Sequence, residues 1–403
     1  MNNLQEGFIN VAVLFGGDSV EHEVSIISAV QAMASMDKTK YNIIPVYIAK
    51  NGRFYTAQSM RDINTFRGNN ALEELLKKAA PVSFTMENGK ACLKSEKKND
   101  FTGRKPIFVD VAFPIVHGTN CEDGTLQGFL EMFHLPYVGC DVTASAVGMN
   151  KVLFKNTLKA YGIPVLDCIK FSDREFVEYE QNILNRIEKS ITYPVIVKPV
   201  NLGSSIGISK VENAGDLGAA IKNAFHYAKE VMVERAICDL REINCAVLGD
   251  SFECQASACE EPVMHDQILS YGDKYLSSGQ KSGGMQSLTR KLPAELPADV
   301  TESIQEFACR TFKAIGANGV ARIDFLMDNK SKEIFVNEIN TIPGSLAFYL
   351  WEASGIKYPE LLNRLISLAF KRQRERESLA FEINTNILAQ TAFGAKGAKG
   401  SKF

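Results

Sequence analysis

Five consecutive apolar residues, Val11–Phe15, run straight into Gly16-Gly17-Asp18-Ser19, and Val24, Ile27 and Val30 then recur at helical spacing. Strand, glycine turn, helix is an arrangement that aims backbone N–H groups and a helix N-terminus at an anion. Asn42–Ala49 and Ile107–Val116 predict further strands and Thr125–His134 a helix, so the first part of the chain reads as α/β. Residues 56–105 are polar and weakly periodic, which predicts a surface excursion. A long helical pattern, Thr143–Tyr161, starts just after Gly139-Cys140-Asp141 and marks a boundary.

Beyond it, strand-like Leu166–Phe171, Tyr193–Val200 and Val231–Ile237 alternate with helix-like Arg174–Ser190 and Leu217–Lys229, the pattern of a small α+β unit. Arg241–Val263 is strand-rich, and the glycine-containing stretch 271–291 suits a mobile loop. Helix Ala298–Gly316, strands Ala321–Asp328 and Glu333–Asn340, and helix Pro359–Phe370 follow. The continuation KRQRERES is a charge run of the kind that marks a solvated helix face, and AKGAKGSKF reads as a frayed tail. No internal repeat is present.

The chain's 403 residues allow two or three domains, with 45% hydrophobic and 23% charged residues, an ordinary globular balance. A net charge of -2 offers no attraction to nucleic acid or to an acidic membrane. The start lacks the pattern of a signal peptide, and no apolar run reaches membrane-spanning length. The nine cysteines are scattered, their odd number rules out a complete disulfide framework, and reduced thiols fit a cytoplasmic protein.

Two C-terminal segments concentrate chemistry. Arg322 and Asp324 alternate along one strand, Glu338 and Asn340 along the next, so each pair shares a face. Paired as a hairpin, the strands would converge two carboxylates, an amide and a guanidinium. Such an oxygen set, without cysteine or histidine, suits a hard cation such as magnesium; a surface ion-pair ladder is the alternative. The turn Thr341-Ile342-Pro343-Gly344 would bring backbone N–H groups to the same place. Upstream, Lys198 leaves an apolar strand beside Asn201-Leu-Gly203-Ser204-Ser205-Ile-Gly207, where an ammonium and loop N–H groups can meet phosphate. A snorkelling lysine beside a plain hairpin is the other reading.

Gly203–Gly207 also satisfies the G-x-S-x-G pattern of a hydrolase nucleophile elbow, with Ser205 as nucleophile. The following Ile-Ser-Lys-Val-Glu-Asn-Ala is too short and alternating for the required helix, and His226 and His265 lie in no supporting pattern. His117, Glu122 and Asp123 cluster at a strand-to-helix turn, where Asp123 reads as an N-cap. There is no Walker A sequence, no HExxH and no zinc-type spacing.

Four segments in order, Gly16-Gly17-x-Ser19-x-Glu21-His22-x-Val24-Ser25, His117-Gly118 with Glu122-Asp123-Gly124, Val197-Lys198-Pro199 with Gly203-Ser204-Ser205-x-Gly207, and Arg322–Phe325 with Asn337–Gly344, resemble the D-alanine–D-alanine ligase family of the ATP-grasp superfamily. The likeness runs from Val11 to about Leu365. It implies α/β and α+β units in a three-domain ATP-grasp architecture. These are an N-terminal parallel-sheet domain (1–140), a central lid domain (141–237), a catalytic domain (238–375) and a tail (376–403).

The implied reaction phosphorylates one D-alanine with ATP and couples the acyl phosphate to a second, for peptidoglycan precursor. By the same resemblance, Asp324, Glu338 and Asn340 would hold Mg2+, while Lys151, Lys198 and Lys274 would bind ATP phosphates. Glu234, Glu242 and Ile237 would line the nucleoside, and Glu21 would anchor the first ammonium near His117. Arg322 and the Gly344 N–H would stabilise the oxyanion; Ser204, Tyr275 and Glu122 would position substrate, and Ser345 would contact it. A cytoplasmic homodimer with no nucleic-acid or membrane partner is also implied.

The chain departs from the family at Cys121, where glycine is usual, and in a loop 276–290 that is longer and richer in glycine. After Gly344 it reads Ser345-Leu-Ala-Phe-Tyr349, with Tyr349 where a serine is often found. The acceptor therefore stays open between D-alanine and D-lactate, D-serine or another amine. A non-catalytic ATP- or amino-acid-binding regulator on the same fold is the competing class.

Overall fold

The computed structural model of the chain describes residues 7–68, 70–96, 105–203, 205–262 and 290–380. The first sheet orders its strands β6-β5-β4-β3-β2-β1-β7, with β1 (Ile9–Gly16), β2 (Tyr41–Ile48), β3 (Phe54–Thr56), β4 (Ala80–Glu87), β5 (Lys90–Ser95), β6 (Ile107–Phe108) and β7 (Val111–Ile115). Its parallel part is β1 between β2 and β7; β3 to β6 add antiparallel. The sheet is thus mixed, and the expected surface excursion is corrected for the described residues 80–95, which form β4 and β5 of this sheet. β4 buries Ala80, Val82 and Phe84 on one face and leaves the residues between them half-covered, a period-2 strand that its polar residues obscure.

Helix α1 (His22–Ser35) forms where predicted but turns a different face inward. Ser25, Ile26, Ser28, Ala29, Ala32 and Met33 are buried, whereas Ile27 is 37% exposed. The small residues let the helix sit close to β1 and β7. There Ser25 Oγ accepts the Gly16 N–H (2.8 Å) and donates to the Ile115 carbonyl (2.5 Å).

The second sheet, order β10-β9-β11-β8, comprises β8 (Cys168–Ser172), β9 (Val195–Pro199), β10 (Ser209–Val211) and β11 (Glu230–Arg235), all antiparallel. It buries Val195, Val197 and Val231 with residues of two covering helices, Asp173–Ser190 and Ala214–Ala224. Because β9 returns directly as β10, no helix follows Ser205, and the nucleophile-elbow reading fails on geometry.

The third sheet, order β14-β13-β12-β15-β16, contains β12 (Leu240–Gly249), β13 (Cys254–Pro262), β14 (Arg290–Lys291), β15 (Gly319–Asp328) and β16 (Ile334–Asn340). The single helix expected over 143–161 is two, Val142–Met149 and Lys151–Ala160. Asn150 leaves helical geometry (φ −89°, ψ 100°), and its side chain accepts the N–H groups of Val152 and Leu153. Phe154 and Leu158 of the second piece pack with Ile243, Phe312 and Ile323 in the core of the third sheet.

The C-terminal helix, Tyr358–Glu377, inserts Leu361, Leu362, Leu365 and Ile366 into the core under β1 and β7. Its charge run is more than a solvated face. Arg372 lies 4.1 Å over the Tyr137 ring and donates to the carbonyls of Tyr137 and Gly139, and Lys371 pairs with Asp250 at 2.5 Å. Among the described residues no helix is long and apolar enough to cross a membrane, and all nine cysteines are free thiols.

Candidate active site

The antiparallel register of β15 and β16 sets Arg322 opposite Asn340 and Asp324 opposite Glu338, with a bulge after Asp324. Period-2 alternation then turns all four side chains to one face. Arg322 grips Asp324 through two short bonds, Nε to Oδ1 (2.6 Å) and Nη2 to Oδ2 (2.7 Å). Asn340 donates its amide N–H to Asp324 Oδ2 (3.0 Å), a contact that does not use its carbonyl oxygen. Lys151 Nζ stands 3.6 Å from Glu338 Oε2, so a cation already faces this carboxylate. The donors are oxygens alone, on two rigid strands, and they fit a hard divalent ion bound to phosphate.

A cavity opens from this face toward the second sheet. It is lined by Lys151, Lys198, Glu234, Ile237, Glu242, Asp324 and Glu338, among others. Lys151 begins its helix at the break after Asn150, and its ammonium donates to the Leu202 carbonyl (2.5 Å) in the β9–β10 loop. Lys198 reaches Asn337 Oδ1 (3.1 Å) and Glu234 Oε1 (2.5 Å). Glu234, 1% exposed, also holds Lys155 at 2.7 Å. Burial alone would raise its carboxyl, but the two ammonium groups hold it down at about 2. Lys155 escaped the sequence reading; its place one helical turn after Lys151 was the available signal.

A second cavity lies toward the N-terminal sheet, lined by Glu21, His117, Glu122, Arg322, Asn340 and Gly344 and by Asn244, Glu260, Arg290 and Tyr349. The two cavities share Lys151, Gly203, Asn244 and Glu338. Gly118 has φ +83°, and a Cβ there would come within 3.1 Å of Glu21 Oε2, so this turn closes directly on the carboxylate. Half-buried Glu122 accepts the N–H groups of Gly118 and Ile342, each at 2.8 Å, and ties the two ends of the pocket together. Burial, then the charge of Glu21, pushes it up to about 8. Burial also lowers His117, whose Nδ1 meets the Ile342 carbonyl (2.8 Å) and Nε2 the Ser28 hydroxyl (3.1 Å).

One reading is corrected at this edge, that of Asp123 as N-cap. Gly124, with φ 94°, takes the N-cap position of the helix Thr125–Met132. Asp123 stands one residue earlier and accepts the N–H groups of Thr125 and Asn120. Cys121 is accommodated because the left-handed positions fall on Gly118 and Asn120; burial raises its thiol, which makes it unreactive. Ser345 lies behind the wall, 2% exposed, its hydroxyl donating to Gln31 Oε1 (2.7 Å).

Tyr349 reaches the wall itself. Its hydroxyl donates to Glu260 Oε1 (2.8 Å), which also takes the Asn244 amide (3.1 Å), while Arg290 stacks 4.1 Å over its ring and donates to Glu260 Oε2 (3.0 Å). Asn244 stands opposite both Asp324 and Glu260 across β12, a neighbourhood set by register, with no local sequence signal. Ser204, Lys274, Tyr275 and all of the loop 276–290 except Arg290 lie outside the described residues.

Comparison with known proteins agrees with this geometry. The family description "D-ala D-ala ligase N-terminus" matches residues 10–140 and "D-ala D-ala ligase C-terminus" residues 157–367. A D-alanine–D-alanine ligase of Thermosipho melanesiensis is 39% identical over 94% of this chain and 98% of its own length. One from Caldicellulosiruptor bescii is 39% identical over 93% and 98%. Among solved structures, the D-alanine–D-alanine ligase of Coxiella burnetii superposes with a TM-score of 0.76 at 35% identity, covering 92% of this chain and 96% of that one. The VanG D-Ala:D-Ser ligase of Enterococcus faecalis gives 0.74 at 32%, covering 90% and 99%. Family matches on both halves and near-complete relatives well above 30% identity make this chain a member of the D-alanine–D-alanine ligase family.

Proposed function

We propose that this protein joins two D-alanines with hydrolysis of ATP to ADP and phosphate, supplying a peptidoglycan precursor. The observation that carries the reading is the meeting of two cavities at Lys151 and Glu338, directly over the paired strands that present Asp324, Glu338 and Asn340. Nucleotide enters the cavity beside the second sheet, where Ile237 and Glu242 line the nucleoside end and Lys151 and Lys198 neutralise phosphate oxygens. Amino acids enter the other cavity. Glu21 takes the ammonium of the first D-alanine, which points its carboxylate at the shared border.

The γ-phosphoryl group passes to that carboxylate, breaking its bond to the ADP oxygen. The amine of the second D-alanine then attacks the acyl carbon and loses a proton as the C–N bond forms, and phosphate departs with the C–O bond. Arg322 and the Gly344 N–H face the oxyanion of the tetrahedral intermediate, where fixed donors contribute most. Asp324, Glu338 and Asn340 would hold magnesium, which when bound would supply charge neutralisation on the phosphate oxygens. Positioning and electrostatics suffice for this chemistry.

The test is phosphate release from ATP with each D-amino acid and D-lactate as acceptor and product mass read directly. Release that needs both D-alanine and magnesium supports the reading; none with any acceptor defeats it. A D-alanine–D-X ligase is the second reading, favoured by Tyr349 on the cavity wall, and the same panel decides it. Asn340→Ala separates enzyme from regulator: turnover should be lost while ATP binding persists. Cytoplasmic location and a homodimer belong to the same proposal, the latter read from mass in solution.

A further inference from the structure

Ser345, Leu346 and Ala347 hold φ values of 51°, 55° and 50°, three successive non-glycine residues in the left-handed region. One such residue is uncommon, and a run persists only when its surroundings over-determine it. All three are buried, and the run sits directly between Gly344 and the short helix Phe348–Ala353 that carries Tyr349.

Within the turn, the Leu346 N–H donates to the Pro343 carbonyl (2.7 Å). Two further bonds come from α1, at the opposite end of the chain. Ser28 Oγ accepts the Ser345 N–H (2.9 Å), and Gln31 Oε1 accepts the Ser345 hydroxyl (2.7 Å). The protons in this network follow from the partners. The Ile342 carbonyl only accepts, so His117 carries its proton on Nδ1; Nε2 then accepts the Ser28 hydroxyl proton, and a Ser28 lone pair remains for the Ser345 N–H. The same histidine and serine therefore brace both ends of the segment 342–345.

We infer that Ser28 and Gln31 are positioning residues for catalysis. They hold the 345–347 turn left-handed, and the turn aims the Gly344 N–H into the cavity and sets the start of the helix that delivers Tyr349 to its wall. The inference rests on the ligase reading, in which the Gly344 N–H faces the oxyanion. It adds the device that fixes this donor, built from a helix of the N-terminal sheet.

The experiment compares Ser28→Ala, Gln31→Ala, Ala347→Gly and the double variants in the full-length protein. It reads kcat for D-alanine-dependent phosphate release, the KM for ATP and the melting temperature. Misplacing the donor should lower kcat about 10- to 100-fold in Ser28→Ala, since small displacements cost that much. Gln31→Ala should lose several-fold, with the KM for ATP unchanged in both.

Glycine adopts left-handed φ without steric cost, so the loss caused by Ser28→Ala should shrink when measured in the Ala347→Gly background. A purely structural clasp would lower the melting temperature and leave kcat alone. The inference is overturned if Ser28→Ala and Gln31→Ala keep kcat within about twofold of the parent, the scale of an ordinary surface change. It is also overturned if the loss is the same size with and without Ala347→Gly. Gln31 is only partly buried, so its variant serves if Ser28→Ala does not fold. A parent enzyme that releases no phosphate with D-alanine defeats the ligase reading and this inference with it; an active parent with indifferent variants defeats the inference alone.

Discussion

Glu234 lies between Lys155 and Lys198 with 1% of its surface exposed, and each lysine is nearly as deeply buried. Removing the carboxylate would strand two ammonium groups in a poorly solvated wall. Glu234→Ala should therefore cost about 3–5 kcal/mol of stability, read by denaturant unfolding; a loss below about 1 kcal/mol would show that water reaches the lysines. Glu122 behaves in the opposite sense. Its folded value of about 8 lies above the ordinary 4.5, so the folded state binds a proton that the unfolded state has released across this interval. Stability should fall as pH rises from 4.5 to 8 and level off beyond, and Glu122→Gln should flatten that slope in melting curves taken across the range. A variant with the parent's full slope would place the titrating group elsewhere.

At the scale of elements, the break at Asn150 determines where Lys151, proposed to bind ATP phosphate, stands. Its side chain caps the helix Lys151–Ala160 through two N–H groups, and Lys151 is the first residue of that helix. Asn150→Ala should cost about 1 kcal/mol of stability and raise the KM for ATP as the first turn frays; an unchanged KM would separate the cap from the lysine's placement. One helix earlier, Gly148 packs against β16, where a Cβ would meet Thr341 Cγ2 at 3.1 Å and Ile339 Cγ2 at 3.2 Å. Gly148→Ala should push the helix from the strand that carries Glu338 and Asn340 and lower turnover more than stability, which paired activity and melting measurements would reveal. These elements were only partly legible. The strands expected at 321–328 and 333–340 follow from alternation and form at Gly319–Asp328 and Ile334–Asn340, whereas the helix pattern 143–161 hid its interruption because an asparagine cap leaves the apolar periodicity almost intact.

For the whole molecule, the candidate active site lies at a junction of three sheets, and its integrity depends on ties between distant segments. Arg372 clamps the C-terminal helix to Tyr137 and Gly139, beside the crossing from the first sheet to the helices that support the third. Arg372→Ala should lower the melting temperature by several degrees, since two hydrogen bonds to a charged group and a ring contact disappear together. It should change the KM values little, because none of these groups lines either cavity. A large KM effect would mean that the helix transmits to the site.

What the sequence determined by itself was local or periodic. Alternation placed Arg322 with Asp324 and Glu338 with Asn340, glycine turns ended strands, and four ordered motifs carried the family. What only the tertiary structure decided was non-local. The register of β12 against β13 and β15 brought Asn244 and Glu260 to the pocket, where Glu260 meets Tyr349 from a separate helix, and the packing of small α1 residues turned Ser28 and Gln31, instead of Val24 and Ile27, toward the C-terminal turn. The physical reason is that hydrophobic period is written in each segment, while the partner of a buried polar group is chosen by whichever distant donor or acceptor the packed core brings within about 3 Å.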